Sequence, residues 1–381
     1  MKPASPPRRT RLGARIIGWA LIAAAFVASP PLVIYAYARY CRATQQKVRF
    51  VNKIPWVRSW LLDEKYLAFA GEVQRLAHGG GETFATTWDF NQEILLSREL
   101  YQEVVFEGKR SYRPRPNLRA RTFQVWTGLG VAKVTVPDSP ELARWLDSPI
   151  LLSSSVSSAT DAFGFRNTGV PVVEGMPAVF LLGDSFTEGY GVSGSETFTR
   201  VLYDLLRQGH YPVTPIDMGV NGYSVLEMLG TYEMFHERFR PRVVVANLFP
   251  NDVEGQFEKV LYGEKIDAAA YARMFADLGR LKAECEKDGA RLLVAVITAR
   301  QQLFDRRATR AFQEQVLGWC RREGVPFLDP SQELEKAGKA AYLRGDAHLS
   351  PAGHRVYGRF LFKALEPVLR DLRDSVQDGE S

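Results

Sequence analysis

Three polar residues with the chemistry of a nucleophilic site lie in two distant parts of this 381-residue sequence. Ser185 follows an apolar run in FLLGDSFTEGYG, and His348 lies in RGDAHLSPAG with Asp346 two residues before it. A serine hydroxyl attacks well when an imidazole takes its proton and an acceptor orients the other ring nitrogen. We therefore assign Ser185 as the candidate nucleophile, His348 as the candidate base and Asp346 as its candidate acidic partner.

The negative oxygen formed when a serine attacks a carbonyl needs hydrogen-bond donors beside the nucleophile. Gly222, in DMGVNGYS, offers a backbone N–H, and Asn251, in FPND, offers a side-chain amide. Each residue alone is common in ordinary turns. Together with Ser185 and His348 they form an ordered set, because each follows a different predicted strand.

A phosphate-binding turn is the competing interpretation of the stretch after Ser185. Residues 189–194 read GYGVSG, a literal G-x-G-x-x-G, and Asp217 lies further on, as the ribose-binding acid of a dinucleotide fingerprint does. That mechanism requires the first glycine to leave the strand directly, so that the helix N-terminus meets the phosphates. DSFTE separates the apolar run from Gly189, which disfavours a dinucleotide cofactor.

The elements that must position these residues follow a βα rhythm from residue 176 onward. Apolar runs alternate with amphipathic stretches, which predicts an α/β fold with a parallel sheet covered by helices on both faces. The loops that follow parallel strands share one edge of the sheet, where such folds bind ligands. The predicted strands are 178–183, 214–219, 242–249, 291–298 and 325–329. One helix is predicted from the apolar stripe that starts at Phe198. Two further helix starts are predicted from the capping pair Ser224 and Glu227 and from Ser350-Pro351.

The ordered blocks GDS at Ser185, glycine at Gly222, Asn-Asp at Asn251 and an acid–histidine pair at His348 resemble the SGNH (GDSL-type) hydrolase family. The resemblance covers about 176–375. It implies a flavodoxin-like, doubly wound sheet of five parallel strands in the order 2-1-3-4-5, and an acyl-serine mechanism with no cofactor and no metal. It also implies that the N–H groups of Ser185 and Gly222 and the amide of Asn251 form the oxyanion hole.

Two departures from the family pattern affect the predicted site. Phe249 stands where the family has the glycine of G-x-N-D, which alters the surroundings of Asn251. Asp346 is two rather than three residues before His348, so either the loop is tighter or the enzyme uses a Ser–His pair; we favour Asp346 as the acid.

A further segment, DAFGFRN at 161–167, is similar to a Gly-Phe-Arg-Asn segment of exported, membrane-anchored members that modify cell-surface polysaccharides. Arg166 of this segment is a candidate for lining the cleft, and so is Asp184 beside Ser185. The alternative for Arg166 is a structural turn pinned to the catalytic domain.

The positive charge of the chain is confined to its N-terminal segment. The net charge is +6, but the first 49 residues hold nine Lys and Arg and no acid, so the remainder, with 40 basic and 43 acidic residues, has a charge of −3. A nucleic-acid-binding protein carries its basic residues on the folded body, so we expect no nucleic-acid partner.

Residues 16–38 carry no charge over 23 positions, which is long enough to cross a bilayer. The Arg-rich segment before them favours a cytoplasmic N-terminus, with the catalytic domain outside the cytoplasm, on the periplasmic side in a Gram-negative cell. A cleaved signal peptide ending at Ala36-Tyr37-Ala38 is the alternative, although the apolar run is longer than usual for one.

The predicted organisation has five segments. They are a basic cytoplasmic tail (1–15), a transmembrane anchor (16–38), a helical linker with a small β-rich accessory region (39–175), the hydrolase domain (176–375) and a short tail (376–381). Within the third segment we expect mostly helix and linker over 39–110, then short strands and turns over 111–170.

These observations predict a serine esterase or O-acyltransferase of the cell envelope. Its substrate would be an acylated glycan, with acetyl as the favoured acyl group, or a small ester. Its lipid partner would be the bilayer around 16–38, and the sequence identifies no protein partner. The alternative from another class is a catalytically silent glycan-binding or assembly protein that keeps the fold. A dinucleotide-binding enzyme is disfavoured by the loop spacing given above.

Overall fold

The computed structural model describes residues 37, 64–78, 83–88, 92–97, 100–126, 131–146, 148, 156–253, 256–344 and 346–379. The predicted anchor at 16–38 lies outside these residues apart from Tyr37. Among the helices that are described, none combines the length and the apolar character needed to cross a membrane.

Five parallel strands form the central sheet: β8 (Ala178–Gly183), β9 (Thr214–Gly219), β10 (Pro241–Leu248), β11 (Arg291–Val296) and β12 (Phe327–Leu328). They lie in the order β12-β11-β10-β8-β9, which confirms the expected 2-1-3-4-5 arrangement. The first two strands match their predicted bounds, whereas the last two are shorter than predicted. β8 lies between β9 and β10, so the loops that follow these three strands are neighbours at one edge.

Helices cover both faces of the sheet because its central strands are apolar on both sides. Phe180 and Leu182 of β8 pack into one core, and Val179 and Leu181 pack into the other, as the two-residue period of a strand requires. The helices of this domain are α2 (Ser185–Glu188), α3 (Phe198–Gln208), α4 (Val225–Phe239), α5 (Phe257–Tyr262), α6 (Ala268–Lys287), α7 (Arg300–Phe304), α8 (Ala311–Glu323), α9 (Ser331–Ala337) and α10 (Pro351–Gly379).

All three predicted helix starts are present, and α3 begins at Phe198, where its apolar stripe starts. The Glu227 side chain accepts a hydrogen bond 3.0 Å long from the Ser224 backbone N–H, which is half of the capping box expected before α4. Ser350 accepts from Gly353 N–H at 3.2 Å and Pro351 is the first residue of α10. The start of α10 therefore follows His348 almost immediately and limits the freedom of its loop.

The accessory region before β8 contains more strand than the sequence predicts. After α1 (Glu64–His78) the described residues form β1 (Thr83–Trp88), β2 (Gln92–Ser97), β3 (Tyr101–Phe106), β4 (Lys109–Pro114), β5 (Ala120–Trp126), β6 (Val131–Pro137) and β7 (Val156–Ser157). The prediction of mostly helix and linker over 39–110 is therefore correct where α1 forms. It is wrong from Thr83 onward, where the chain forms strands. These strands are short and rich in Thr, aromatic and β-branched residues, which favour the pleated conformation.

The hairpin of β3 and β4 packs against the domain built on the parallel sheet. Phe106 and Tyr112 of this hairpin form one buried cluster with Val220 and Tyr223, which follow β9. Gly230 of α4 permits this contact, because a Cβ atom there would be 2.0 Å from the Phe106 ring. Lys109 pairs with Glu227 at 2.9 Å, so the hairpin also contacts the first turn of α4.

Asp217 of β9 is a buried carboxyl group beneath the edge of the sheet. It accepts hydrogen bonds from the Thr199 hydroxyl at 2.7 Å and from Gly219 N–H at 3.2 Å. Burial raises its pKa from 3.8 to about 7, against the opposing effects of these bonds and of Arg166. Between pH 3.8 and about 7, Asp217 is protonated in the folded chain and ionised in the unfolded chain. The contribution of Asp217 to the free energy of unfolding therefore falls as the pH rises through this range.

We predict that Asp217→Asn stabilises the fold increasingly as the pH rises from about 4 to about 7, with no further gain above that pH. Asn is neutral throughout and can still pair with Thr199 and Gly219. The measurement is the difference in Tm between variant and wild type across this pH range. A difference that is independent of pH would contradict the assignment.

Candidate active site

Ser185 is the first residue of α2, a short helix at the carboxyl end of β8. The Asp184 carboxylate caps this helix by accepting from Phe186 N–H at 2.9 Å. Two glycines allow the close approach of backbone that this turn needs: a Cβ at Gly183 would be 2.0 Å from Thr187 Oγ1, and one at Gly219 would be 2.2 Å from Glu188 N. The Ser185 N–H lies in the first turn, where no carbonyl of the helix can accept it.

The structure brings Ser185, His348 and Asp346 together. Ser185 Oγ lies 2.7 Å from His348 Nε2, and His348 Nδ1 lies 2.6 Å from Asp346 Oδ1. The same Asp346 oxygen accepts from His348 backbone N–H at 2.8 Å. One carboxylate oxygen therefore holds both the loop and the ring, and the spacing of two residues is sufficient for an acid–histidine pair.

Aromatic rings fix the histidine plane. Phe186 stacks on His348 with ring centroids 4.4 Å apart, and Phe249 stacks on the other side of Phe186 at 3.9 Å. Phe249 in turn stacks on Phe257 at 5.4 Å. The residue that replaces the family glycine is thus part of a stack that supports the base, and its backbone φ of −135° requires no glycine.

Two loops beside Ser185 hold the predicted oxyanion donors. Gly222 has φ of 81°, and within the described residues its N–H meets no acceptor. Asn251 Nδ2 donates to Asp184 Oδ2 at 3.1 Å, which orients the amide and leaves its second N–H for another acceptor. The site therefore offers donors from the Ser185 loop, the Gly222 loop and the Asn251 loop.

Asp184 and Arg166, the two candidates for lining the cleft, are both buried in the structure. Asp184 is fully buried. Its two carboxylate oxygens accept hydrogen bonds from Phe186 N–H and from the Asn251 amide. Arg166 is buried and donates to the Val192 carbonyl at 2.7 Å. Burial lowers the Arg166 pKa, while Glu188 and Asp217 oppose that shift. The bond to Val192 favours the alternative interpretation, in which Arg166 is a structural turn residue.

Glu188 and Tyr190 contribute to the site although sequence reasoning did not select them. Glu188 Oε2 accepts from Asn221 N–H at 2.8 Å and so ties α2 to the Gly222 loop. Tyr190 lies against His348, with ring centroids 5.6 Å apart, and hydrogen-bonds Thr135 of β6. The signal for Glu188 was its position one helical turn after Ser185, whereas nothing in the sequence indicates a contact with β6.

The glycines at 189–194 do not form a phosphate-binding turn. Gly189 ends α2 in the left-handed conformation, with φ of 73°, rather than connecting β8 to a helix. Asp217 is occupied by Thr199 and Gly219 inside the fold. In the described parts of the chain, no group of three or more His, Cys, Asp or Glu residues is arranged to hold a metal ion.

A serine, a histidine and an aspartate in hydrogen-bonded succession, at the carboxyl edge of a doubly wound parallel sheet, define a serine hydrolase. Residues 181–356 match the model of the GDSL-like lipase/acylhydrolase family. This domain belongs to that family, and the protein is a serine hydrolase that acts on ester bonds.

Several solved structures resemble about half of the chain. TesA is 18% identical, covers 50% of this chain and 99% of its own, and has a TM-score of 0.42. A mutant of Axe2, an acetyl-xylooligosaccharide esterase from Geobacillus, is 18% identical, covers 50% and 94%, and has a TM-score of 0.40. The acetyl xylan esterase AlAXEase is 15% identical, covers 49% and 99%, and also has a TM-score of 0.40. No curated protein matches the sequence.

We predict that Asn251→Ala lowers kcat by about a hundredfold or more and changes KM little. The Asn251 amide would bind charge that exists only in the transition state, so its loss should not weaken substrate binding. Steady-state kinetics on an activated ester separate the two constants. A change confined to KM would make Asn251 a substrate contact instead.

For Asp346→Asn we predict a loss of about 10³-fold or more in kcat/KM, approaching the loss for His348→Ala, because Asn can hold the wrong tautomer and does not stabilise the imidazolium. The matched control is Asp288→Asn. This control makes the same change in an Asp–His contact that lies outside the candidate site. There Asp288 Oδ2 lies 2.6 Å from His236 Nδ1. A loss below about tenfold for Asp346→Asn would show that Asp346 only shapes the loop.

Proposed function

We propose that this protein removes or transfers acyl groups, chiefly acetyl groups, on cell-envelope glycans through an acyl enzyme on Ser185. The observation that carries the proposal is the continuous hydrogen-bonded series from Ser185 Oγ through His348 to Asp346, with separations of 2.7 and 2.6 Å. A silent glycan-binding protein that merely keeps the fold would not need this alignment of nucleophile, base and acid.

In the first half of the reaction, Ser185 Oγ bonds to the ester carbonyl carbon and its proton passes to His348 Nε2. Asp346 stabilises the resulting imidazolium. The carbonyl oxygen becomes negative and accepts from the N–H groups of Ser185 and Gly222 and from the Asn251 amide. As the ester C–O bond breaks, His348 returns the proton to the departing alkoxide, which leaves as a free hydroxyl group.

In the second half, a hydroxyl compound attacks the acyl-serine carbonyl and gives its proton to His348. Water as the attacking molecule completes hydrolysis, whereas a sugar hydroxyl completes transfer to a second glycan. Both outcomes use the same residues and return the proton to Ser185. The balance between them is therefore set by whether an acceptor sugar displaces water beside the acyl enzyme.

A small acyl group suits the surroundings of Ser185. Ser185 is only 5% exposed, and His348 beside it is in ring contact with both Phe186 and Tyr190. This close packing around the nucleophile and base supports acetyl over a long acyl chain as the transferred group.

The cell-envelope setting rests on the sequence. The uncharged segment 16–38 and the Arg-rich residues before it support a catalytic domain outside the cytoplasm. The segment DAFGFRN supports a glycan substrate through its similarity to exported members of the family. The acidic balance of the rest of the chain disfavours a nucleic acid as partner.

We predict that Ser185→Ala lowers turnover of 4-nitrophenyl acetate by at least about 10³-fold with an unchanged Tm. The matched control is Ser195→Ala, which alters an exposed serine ten residues further on. We also expect the wild type to prefer the acetate to the octanoate ester and to release acetate from an O-acetylated oligosaccharide. Equal rates on both esters and no release from the oligosaccharide would contradict the proposed substrate class.

A further inference from the structure

The predicted oxyanion donor Gly222 lies in a β-turn whose middle peptide bond decides its function. Tyr223 N–H donates to the Val220 carbonyl at 3.0 Å, which closes a turn over 220–223. Gly222, the third residue of the turn, has φ of 81°, whereas Asn221 is not in the positive-φ region. These values define a type II turn, which needs glycine at this position.

Type I and type II turns differ mainly in a rotation of the middle peptide by about 180°. Here that peptide consists of the Asn221 carbonyl and the Gly222 N–H, which point in opposite directions because the bond is trans. Rotation to type I would exchange them. A carbonyl oxygen would then face the position where the N–H is needed, and it would repel a developing oxyanion.

A tyrosine of the accessory region binds this peptide. The Tyr112 hydroxyl, on β4, donates to the Asn221 carbonyl at 2.5 Å. Tyr112 is buried, and burial raises its pKa well above 10, so the hydroxyl keeps the proton that it donates. From the other side, Asn221 N–H is held by Glu188 at 2.8 Å, one turn after Ser185.

We infer that Tyr112 is a positioning residue that holds the Asn221–Gly222 peptide in the orientation required for the oxyanion hole. The inference rests on the acyl-serine mechanism of the proposed function. A hydrogen bond to the carbonyl also polarises the peptide and makes the Gly222 N–H a stronger donor. The orientation of the Gly222 N–H, one of three oxyanion donors, thus depends on a residue of the β3–β4 hairpin.

The matched pair of variants is Tyr112→Phe and Tyr223→Phe. Each removes one phenolic hydroxyl from the same tyrosine pair, whose rings are 5.8 Å apart. The Tyr223 hydroxyl donates to the Tyr112 backbone carbonyl at 2.5 Å, so its loss leaves the bond to Asn221 in place. Both substitutions keep the aromatic ring. Only Tyr112→Phe removes the hydrogen bond to the Asn221 carbonyl and so releases the Asn221–Gly222 peptide.

For Tyr112→Phe in the full chain we expect kcat on 4-nitrophenyl acetate to fall about tenfold or more, with little change in KM. The inhibition constant of a boronic acid should rise by a similar factor, because the boronate adduct places a negative oxygen in the same hole. Tyr223→Phe should stay within about threefold of the wild type in both measurements. A purely structural role for Tyr112 would instead lower Tm without separating kcat from KM.

The inference is overturned if Tyr112→Phe keeps wild-type kcat and boronate affinity, or if both variants lose activity equally. A wild type without Ser185-dependent turnover would instead refute the proposed function. In that case, crystal structures of the wild type and of Tyr112→Phe still test the inference. An Asn221–Gly222 peptide that is rotated in the variant supports it. An Asn221–Gly222 peptide that is unchanged in the variant overturns it.

Discussion

The hydrogen bond of 2.7 Å between Ser185 Oγ and His348 Nε2 joins residues 163 positions apart, and the rest of the fold is arranged around it. Ser185 is placed by strand β8, which ends at Gly183, and His348 is placed by the start of α10 at Pro351. α3 and α10 pack in one core on the same face of the sheet. This packing brings the first and last βα units together and leaves the two side chains in contact.

Local contacts compensate for each departure from the family pattern. Phe249 replaces a glycine but supports the base through its stack on Phe186. Asp346 is closer to His348 in sequence than the family pattern has it, yet one of its oxygens binds both the backbone N–H and the ring. The accessory region adds contacts of its own, since Thr135 hydrogen-bonds Tyr190 and Tyr112 binds the oxyanion loop. The site is therefore shared between two parts of the chain.

Features governed by local pattern were predictable from the sequence. The apolar runs of β8 and β9, the capping pair before α4 and the Ser350-Pro351 start of α10 each depend on neighbouring residues alone. The strand order and the site residues came from the ordered motifs. Other features depend on distant contacts: Tyr112 meets Asn221 across 109 residues, and Arg166 is buried by neighbours that no spacing reveals. The strands from Thr83 onward are short and not strictly alternating, so composition alone did not separate them from linker.

The central claim is that Ser185 is a nucleophile activated by His348, and covalent labelling tests it most directly. The full chain is incubated with an activated alkyl phosphonate, which forms a stable phosphorus–oxygen bond to an activated serine. Peptide mass spectrometry then locates the adduct. The account predicts a single adduct on Ser185, formed at least about 10²-fold more slowly in His348→Ala. No adduct on Ser185, or equal labelling of exposed serines such as Ser195, would contradict it.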